Sequence, residues 1–240
     1  MKKTMLSLCL PVALLAAAPA VAQTAPPAEV FVIHGIPGAD VGAPGALPVD
    51  VSVNGACALR GFQYGQIVGA LHFAPGTYNF AIHLANAANP CGNAPVIGPA
   101  AIPLYAGENS TIIAHLTAAG APTASKFVNN LSTTPAGRNR VSVPHLAAAP
   151  AVDAYVTTAF GNPLATAGLA TGVVNGEQVT LPAPGPVAVQ FALTPAGTQT
   201  AAFGPVVLRL DANKAYLLYV VGSLARGTLN VIAKDVSELK

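Results

Sequence analysis

Two histidine–aspartate pairs have the residue types that acid–base or metal chemistry requires, and the pair occurs twice in the chain. His34 is followed by Asp50, and His145 is followed by Asp153; each histidine ends a short apolar segment. An imidazole beside a carboxylate can transfer protons or share a metal ion. A metal needs three or four ligands, and the second copy has no other histidine, so we favour a structural pair. We predict that each ring bonds a backbone carbonyl or the aspartate and fixes the turn.

Three further histidines, His72, His83 and His115, lie in the first half of the chain. Alternation places His83 opposite the apolar residues of its strand, which predicts that its ring points outward. If the strands of His83 and His115 are neighbours, the two imidazoles could bind a transition metal. Two solvated histidines on an outer sheet face are the favoured interpretation. We expect no metal and no other cofactor.

Catalytic motifs of other kinds do not occur in the sequence. It has no Gly-x-Ser-x-Gly elbow, no His-Glu-x-x-His motif and no phosphate-binding loop. The 9 acidic residues are scattered, and no two form an obvious pair for glycoside hydrolysis. We therefore predict that the protein is not an enzyme.

Cysteine content predicts one disulfide. Cys9 lies in the apolar leader, so Cys57 and Cys91 remain after its removal. Two cysteines in an exported chain indicate a bridge, which would stabilise the first copy by roughly 3–4 kcal/mol through the unfolded chain. A thiol pair that binds metal is the weaker alternative, because no adjacent ligands complete such a site.

Glycan recognition usually depends on exposed aromatic rings, and the chain has 8 Phe, 6 Tyr and no Trp. Phe62 and Tyr64 are the best candidates for a ligand platform, because Gly61 and Gly65 flank them. Most of the other aromatic residues are needed in cores. Packing of both rings under the loop is nevertheless the favoured interpretation.

The segments that must position these residues are short, rich in β-branched residues and separated by turns. Several alternate apolar and polar residues with period two, which predicts half-buried strands. The 23 Gly and 22 Pro interrupt the chain too often for long helices. We predict an all-β protein made of antiparallel β-sandwiches, of immunoglobulin-like or transthyretin-like type.

These segments form a repeat, and its period indicates two tandem domains. His34 and His145 are 111 residues apart, whereas Asp50 and Asp153 are 103 apart because the first copy has an insertion around 41–45. Each copy therefore has the length of one small domain. The predicted organisation is a signal peptide over 1–22, a lead-in over 23–28, a first sandwich over 29–130, a linker over 131–139 and a second sandwich over 140–240.

The first 22 residues have the composition of a signal peptide. Lys2 and Lys3 precede an apolar run over 5–18, and Ala20-Val21-Ala22 fits the small-x-small cleavage pattern. A retained membrane anchor is the rival interpretation, but the run is short and contains proline. We predict cleavage after Ala22 and export to the periplasm or the extracellular space, with no transmembrane segment in the mature chain.

Charge excludes some partners and favours others. The chain has 11 Lys+Arg and 9 Asp+Glu, so loss of Lys2 and Lys3 leaves a net charge of zero. A neutral chain without basic clusters is a poor partner for nucleic acid or anionic lipid. Because only 8% of the residues are charged, the surface opposes self-association weakly.

Several motifs together resemble a known family. The second copy opens with VPHLAAAPAVDAYV over 143–156, and the first copy contains GFQYG over 61–65 and APGTY over 74–78. These segments resemble the bacterial family called domain of unknown function 4397, whose copies combine a His-Ala-x-x-x-Ala-Pro turn with a Val-Asp-Val-Tyr-Val strand. The resemblance covers nearly all of the mature chain as two copies, although the insertion departs from the family's turn. It implies an exported β-sandwich module and no settled activity.

The favoured functional prediction is a non-catalytic structural or adhesive module of the cell envelope or extracellular matrix, acting through self-association or envelope partners. It rests on the low charge, the tandem β-domains and the lack of catalytic motifs. The alternative is a periplasmic or secreted module that binds a glycan or small ligand. A metal-binding protein that uses the histidines of the first copy is the third and weakest hypothesis.

Overall fold

Short β-rich segments form sixteen strands in the part of the chain that the structure describes. The computed structural model describes residues 25–158, 164 and 170–236. The strands are β1 (Ala28–His34), β2 (Val49–Val53), β3 (Ala56–Phe62), β4 (Ile67–Phe73), β5 (Gly76–Leu84), β6 (Pro95–Leu104), β7 (Asn109–Leu116), β8 (Pro122–Val128), β9 (Arg138–Pro144), β10 (Val152–Thr157), β11 (Ala170–Val173), β12 (Gln178–Pro184), β13 (Val187–Pro195), β14 (Phe203–Leu210), β15 (Ala215–Val221) and β16 (Asn230–Asp235). A short 3-10 helix, Gly38–Val41, follows β1.

The described strands form four sheets of four. In the first half, the sheet β4-β1-β7-β8 packs on the sheet β3-β2-β5-β6. In the second half, β12-β9-β15-β16 packs on β11-β10-β13-β14. Each strand of the first half therefore has a counterpart eight strands later. The all-β sandwich prediction is confirmed, with the difference that β1 pairs with β7, and β9 with β15, in parallel.

The strand order also decides between the two expected sandwich types. In an immunoglobulin constant domain, the first, second, fifth and fourth strands share one sheet, and the third, sixth and seventh share the other. Here the first strand of each half lies beside the fourth and seventh, and the second lies beside the third and fifth. The immunoglobulin arrangement is therefore wrong for this chain, and the transthyretin-like expectation is the one left.

Each half has its own apolar core, built from the alternating inward residues of its two sheets. The first core joins Val30 and Ile112 from one sheet to Val51 and Phe80 from the other. The second core contains Val141, Leu218 and Phe191 in corresponding places. β8 ends at Val128 and β9 begins at Arg138, so the predicted linker over 131–139 lies almost wholly in the connection between the halves.

A third apolar cluster joins the two halves. Ile33 and Ile113, on the outer face of the first half, pack with Leu217, Tyr219 and Val221 of β15. The buried Tyr219 hydroxyl donates a hydrogen bond of 2.8 Å to Thr111 Oγ1 across this contact. Burial raises the pKa of Tyr219, so the phenol stays a neutral donor. The outer faces of β1, β7 and β15 are therefore buried as well, in the contact between the halves.

A Gly-Pro bulge recurs in the edge strands β6 and β14. The register between β5 and β6 shifts near Gly98-Pro99, and that between β13 and β14 shifts near Gly204-Pro205. Gly98 has φ +84°, and a Cβ there would lie 2.5 Å from the Phe80 carbonyl oxygen. Gly204 has φ +78° and makes the same close approach to Phe191. Only glycine fits such a position, so the bulge is a repeated feature that the sequence analysis missed.

The predicted signal peptide, residues 1–22, lies outside the described residues. Within the described ranges, no helix is long and apolar enough to cross a membrane.

The predicted disulfide is present and joins β3 to the connection between β5 and β6. Cys57 and Cys91 are bonded, with their Cα atoms 5.6 Å apart. The bridge closes a sequence separation of 34 residues. It therefore fixes the 85–94 connection against the outer edge of the first sandwich.

Replacing both cysteines with serine should lower the free energy of unfolding of the first half by roughly 3–4 kcal/mol, because the unfolded chain regains the entropy of the open loop. Urea unfolding of the wild type and of the Cys57→Ser, Cys91→Ser double variant measures the difference. The wild type treated with a reductant is the matched control. A double variant as stable as the oxidised wild type would contradict this account.

Candidate functional site

Asp50 holds together three parts of the first half. Its carboxylate is buried on β2, and its Oδ1 accepts a 2.8 Å bond from the Gly61 N–H of β3. Its Oδ2 accepts bonds from the N–H groups of Asn86 and Cys91, at 3.2 and 3.0 Å. One carboxylate thus joins two neighbouring strands and the connection that carries the disulfide.

Asp153 plays the corresponding part in the second half. Its Oδ1 accepts a 2.7 Å bond from the Gly172 N–H of β11, and its Oδ2 accepts a 2.8 Å bond from the Gly197 N–H after β13. Gly61, Gly172 and Gly197 all have positive φ, so each turns its N–H toward the carboxylate in a conformation that favours glycine.

The pKa of Asp50 reflects this arrangement. Burial alone raises the pKa of the carboxyl, but the backbone donors at Cys91, Gly61 and Asn86 and the nearby His83 outweigh it, so the pKa lies below its ordinary value. The group is therefore ionised at neutral pH.

The two turn histidines bond the backbone. The His34 Nδ1 accepts the Ile36 N–H at 3.3 Å, so its Nε2 carries the proton and donates to the Leu47 carbonyl at 2.9 Å. His145 repeats this, with bonds to the Ala147 N–H and the Pro150 carbonyl at 3.5 and 3.1 Å. Burial lowers the pKa of both histidines. Each aspartate bonds different backbone groups, so the histidine and aspartate of a pair do not bond each other.

His83 and His115 lie on different sheets. The metal hypothesis requires their rings to be neighbours, and they are not. His83 is on β5, His115 is on β7, and the two strands belong to the opposing sheets of the first sandwich. Both are buried, at 7% and 2% exposure, so the expectation of solvated histidines is wrong. Each ring bonds a serine hydroxyl at 2.9 Å, that of Ser52 and Ser125 respectively.

Among the described residues, no group of three or more His, Cys, Asp or Glu side chains is placed to hold a metal ion. His72 is on the edge strand β4, where its Nε2 lies 3.7 Å from Glu29.

The aromatic platform at Phe62 and Tyr64 does not form on the surface. Phe62 is 4% exposed and packs in the first core, because it is the inward residue at the end of β3. Tyr64 is half-buried at the contact between the halves, where its hydroxyl accepts a 3.1 Å bond from the Asn230 amide. Neither ring is free to stack on a sugar.

An apolar pocket opens at one end of the first sandwich, beside the insertion that the second half lacks. Its volume is about 240 Å³. A narrow void of about 30 Å³ continues from it between the two sheets. The residues that line both spaces are His34, Val49, Ile82, Ile97 and Ala114. The pocket is therefore an opening into the sandwich core.

The insertion builds one wall of this pocket. Val41 and Ala43 come from it and line the opening, together with Leu47 just after it. The hydrogen bond between His34 and the Leu47 carbonyl holds the wall in place. The recurring histidine therefore has an added consequence in the first half, where it supports the side of a cavity.

The rim of the pocket is an exposed apolar surface. Val41, Leu84 and Val96 are 38%, 46% and 52% exposed, which is unusual for large apolar residues grouped around one opening. None of the described residues that line the pocket is charged at neutral pH, since burial keeps His34 neutral. The opening can therefore accept an apolar group and offers nothing to a charged one.

Comparison with known proteins identifies the family. The family model described as "Domain of unknown function (DUF4397)" matches residues 28–155. The chain belongs to this family. The match covers the whole first sandwich and ends within β10 of the second half.

Other comparisons add little. No curated protein matches the sequence. A structural comparison finds a likeness to "The Bacillus anthracis TIE protein", at 10% identity and a TM-score of 0.23. That alignment covers 83% of this chain and 34% of the other, so this chain spans about a third of that protein. A TM-score this low supports no conclusion about fold or function.

Substitution of Asp50 by asparagine should lower the free energy of unfolding at pH 7 by about 2–3 kcal/mol, because a neutral amide replaces a buried carboxylate that accepts three N–H bonds. Since the folded pKa lies below the unfolded one, the carboxylate's contribution is complete above about pH 4 and disappears as the pH falls through the folded pKa.

Urea unfolding between pH 7 and pH 2 checks this prediction. The difference between the wild type and Asp50→Asn should narrow as the pH falls. Asp211→Asn, at an exposed aspartate, is the matched control and should change stability little. A constant gap between wild type and Asp50→Asn across this range would show that ionisation of Asp50 is not what stabilises the fold.

Proposed function

We propose that the protein is an exported module that binds a small apolar ligand, or the apolar part of a larger one, in the end pocket of the first sandwich. The supporting observation is the coincidence of an open apolar cavity with an exposed apolar rim at the same place. A group of exposed apolar side chains around an apolar cavity normally marks a binding site.

The size of the pocket supports the proposal. An engineered cavity of about 150 Å³ lined by apolar side chains stays dry and binds benzene. The pocket here, at about 240 Å³, can hold a larger group of the same kind. Each buried methylene contributes about 0.8 kcal/mol, so burying about ten would supply the free energy of a micromolar complex before association costs are counted.

The lining of the pocket limits the ligand to an uncharged molecule, or to one that has an apolar part and a single polar end. The polar atoms of His34 are engaged with the backbone, so the floor offers no free donor or acceptor from that ring. Any polar end of a ligand would stay at the mouth, in contact with solvent. An alkyl chain or a compact aromatic group fits this description, whereas a whole sugar ring does not.

A structural or adhesive role in the envelope or matrix is the second proposal, supported by the same rim. An apolar side chain of an envelope partner, or of a second copy, could fill the opening at Val41, Leu84 and Val96. Export, the setting for both proposals, is inferred from the leader sequence. Light scattering of the mature chain across a concentration series separates the two, since only self-association predicts growth of the particle.

Replacing Val96 with aspartate should weaken binding of N-phenyl-1-naphthylamine, a neutral apolar fluorophore, by at least about tenfold. The reason is that a bound apolar group would strip water from a carboxylate at the rim. Fluorescence titration measures the dissociation constant.

Val207→Asp is the matched control, because Val207 is an equally exposed valine, at 57%, on the equivalent edge strand β14. The control should bind the fluorophore like the wild type. Equal binding by all three proteins, or none by the wild type, would rule out the pocket as the binding site.

A further inference from the structure

A second site lies on the other face of the sheet that walls the pocket. There the Ser52 hydroxyl of β2 and the His83 Nε2 of β5 are 2.9 Å apart. The His83 Nδ1 lies 2.7 Å from the backbone carbonyl oxygen of Asn93. A serine, a histidine and a group that orients the histidine are thus in hydrogen-bonding sequence.

The Asn93 carbonyl decides which nitrogen of His83 is basic. A carbonyl oxygen only accepts, so Nδ1 carries the proton and donates to it. In the neutral ring Nε2 is then unprotonated and accepts the Ser52 O–H. His34 and His145 are in the opposite tautomer, with both nitrogens engaged with the backbone. His83 is therefore set up as a base toward a hydroxyl, as those two histidines are not.

The orienting carbonyl is held firmly. Asn93 belongs to the connection that the Cys57–Cys91 disulfide and the carboxylate of Asp50 fix to the sheet. The Asn93 side-chain amide also donates to the Leu84 carbonyl at 2.9 Å. This fixed connection explains how a histidine on an outer sheet face is held in one orientation.

Ser52 and His83 are 5% and 7% exposed and lie in the wall of an open groove. Ser52, Asn54, Asn79, Ala81 and His83 contribute to its walls, with proline rings from the neighbouring edge strand. The side-chain amides of Asn54 and Asn79 line the same groove and are the candidate donors to a developing oxyanion. Nucleophile, base, orienting group and oxyanion donors are the parts that acyl transfer requires.

We propose that Ser52 and His83 are the nucleophile and general base of a site that hydrolyses small acyl esters. This goes beyond the proposed ligand binding and beyond the expectation of a non-enzymatic protein. Ser52 Oγ forms a bond to the ester carbonyl carbon while its proton passes to His83 Nε2. The tetrahedral intermediate expels the alcohol, which takes that proton, and leaves Ser52 acylated.

Water completes the cycle without a further reactant. His83 Nε2 takes a proton from water as the hydroxide oxygen bonds to the acyl carbon. The Oγ–acyl bond then breaks, the proton returns to Ser52, and the carboxylic acid leaves. The sum is one ester and one water converted to one acid and one alcohol.

The positions equivalent to Ser52 and His83 in the second half carry neither a serine nor a histidine. Ser52 lies opposite Ala81 in the β2–β5 ladder, and the residue opposite the equivalent Ala192 is Tyr155. His83 lies opposite Asp50, whereas Thr194 lies opposite Asp153. The site is therefore a property of the first half.

The test is labelling of the oxidised mature protein with a fluorophosphonate, located by mass spectrometry, together with hydrolysis of p-nitrophenyl acetate. The wild type should carry the label on Ser52. Ser52→Ala and His83→Asn should each lower the hydrolysis rate by at least about 100-fold. Asparagine keeps a donor for the Asn93 carbonyl but removes the basic nitrogen, so the second variant preserves the connection.

Ser125→Ala is the matched control, since Ser125 makes the same 2.9 Å bond to the more deeply buried His115. It should be labelled and should hydrolyse the ester like the wild type. Absence of label from Ser52, or hydrolysis by Ser52→Ala at the wild-type rate, would overturn the proposal. Fluorophore binding is measured at the pocket on the opposite face of the sheet, so the two proposals fail separately.

Discussion

The fold depends on one buried carboxylate in each half that accepts backbone N–H groups from its surroundings. Asp50 and Asp153 are 1% and 5% exposed, and burying an ionised carboxylate without partners would cost several kcal/mol. Bonds from N–H groups to a charged acceptor contribute about 1.5–3 kcal/mol each, so two or three of them offset that cost. The same bonds decide which strand and which loop lie beside the second strand of each half. A sequence that kept the apolar pattern but lost the aspartate would leave those N–H groups buried and unpaired.

Around this shared constraint the two halves diverge, and the candidate sites lie where they diverge. The first half has an insertion between His34 and Asp50, which forms one wall of the apolar pocket. It also has a longer connection after β5, which the disulfide holds and which orients His83. In the second half, Gly197 meets the carboxylate of Asp153 directly in a short turn. The second half thus keeps the scaffold without these additions, and it covers part of the first half through β15.

Local patterns in the sequence predicted the strands, the repeat and the disulfide, because each depends on neighbouring residues or on counting. The long-range arrangement of strands and loops could not be predicted from such patterns. Alternation placed His83 on the outer face of its sheet, but nothing local showed that the 85–94 connection would cover it. Phe62, between glycines, was a candidate for an exposed ring, but packing was favoured, and β3 continues far enough to turn the ring into the core. The parallel pairs, the contact between the halves and the pocket depend on strand order, which no local pattern specifies. The Gly-Pro dipeptide at 98–99 and 204–205 is a local signal that could have predicted the bulge in both halves.

The surface carries even fewer charges than the composition indicates, and this makes the exposed rim of the pocket more significant. Three of the 9 acidic residues, Asp40, Asp50 and Asp153, are buried, so even fewer charges face the solvent. Edge strands are usually kept from pairing with other chains by charge or by proline. β6 carries prolines at 95, 99 and 103, and β8 has Lys126, which bonds Glu108 and the Pro103 carbonyl. The edges on this side of the first sandwich are therefore closed by proline and one ion pair. These edges are protected, whereas the apolar mouth of the pocket at Val41, Leu84 and Val96 stays exposed. This contrast is the physical argument for a bound ligand.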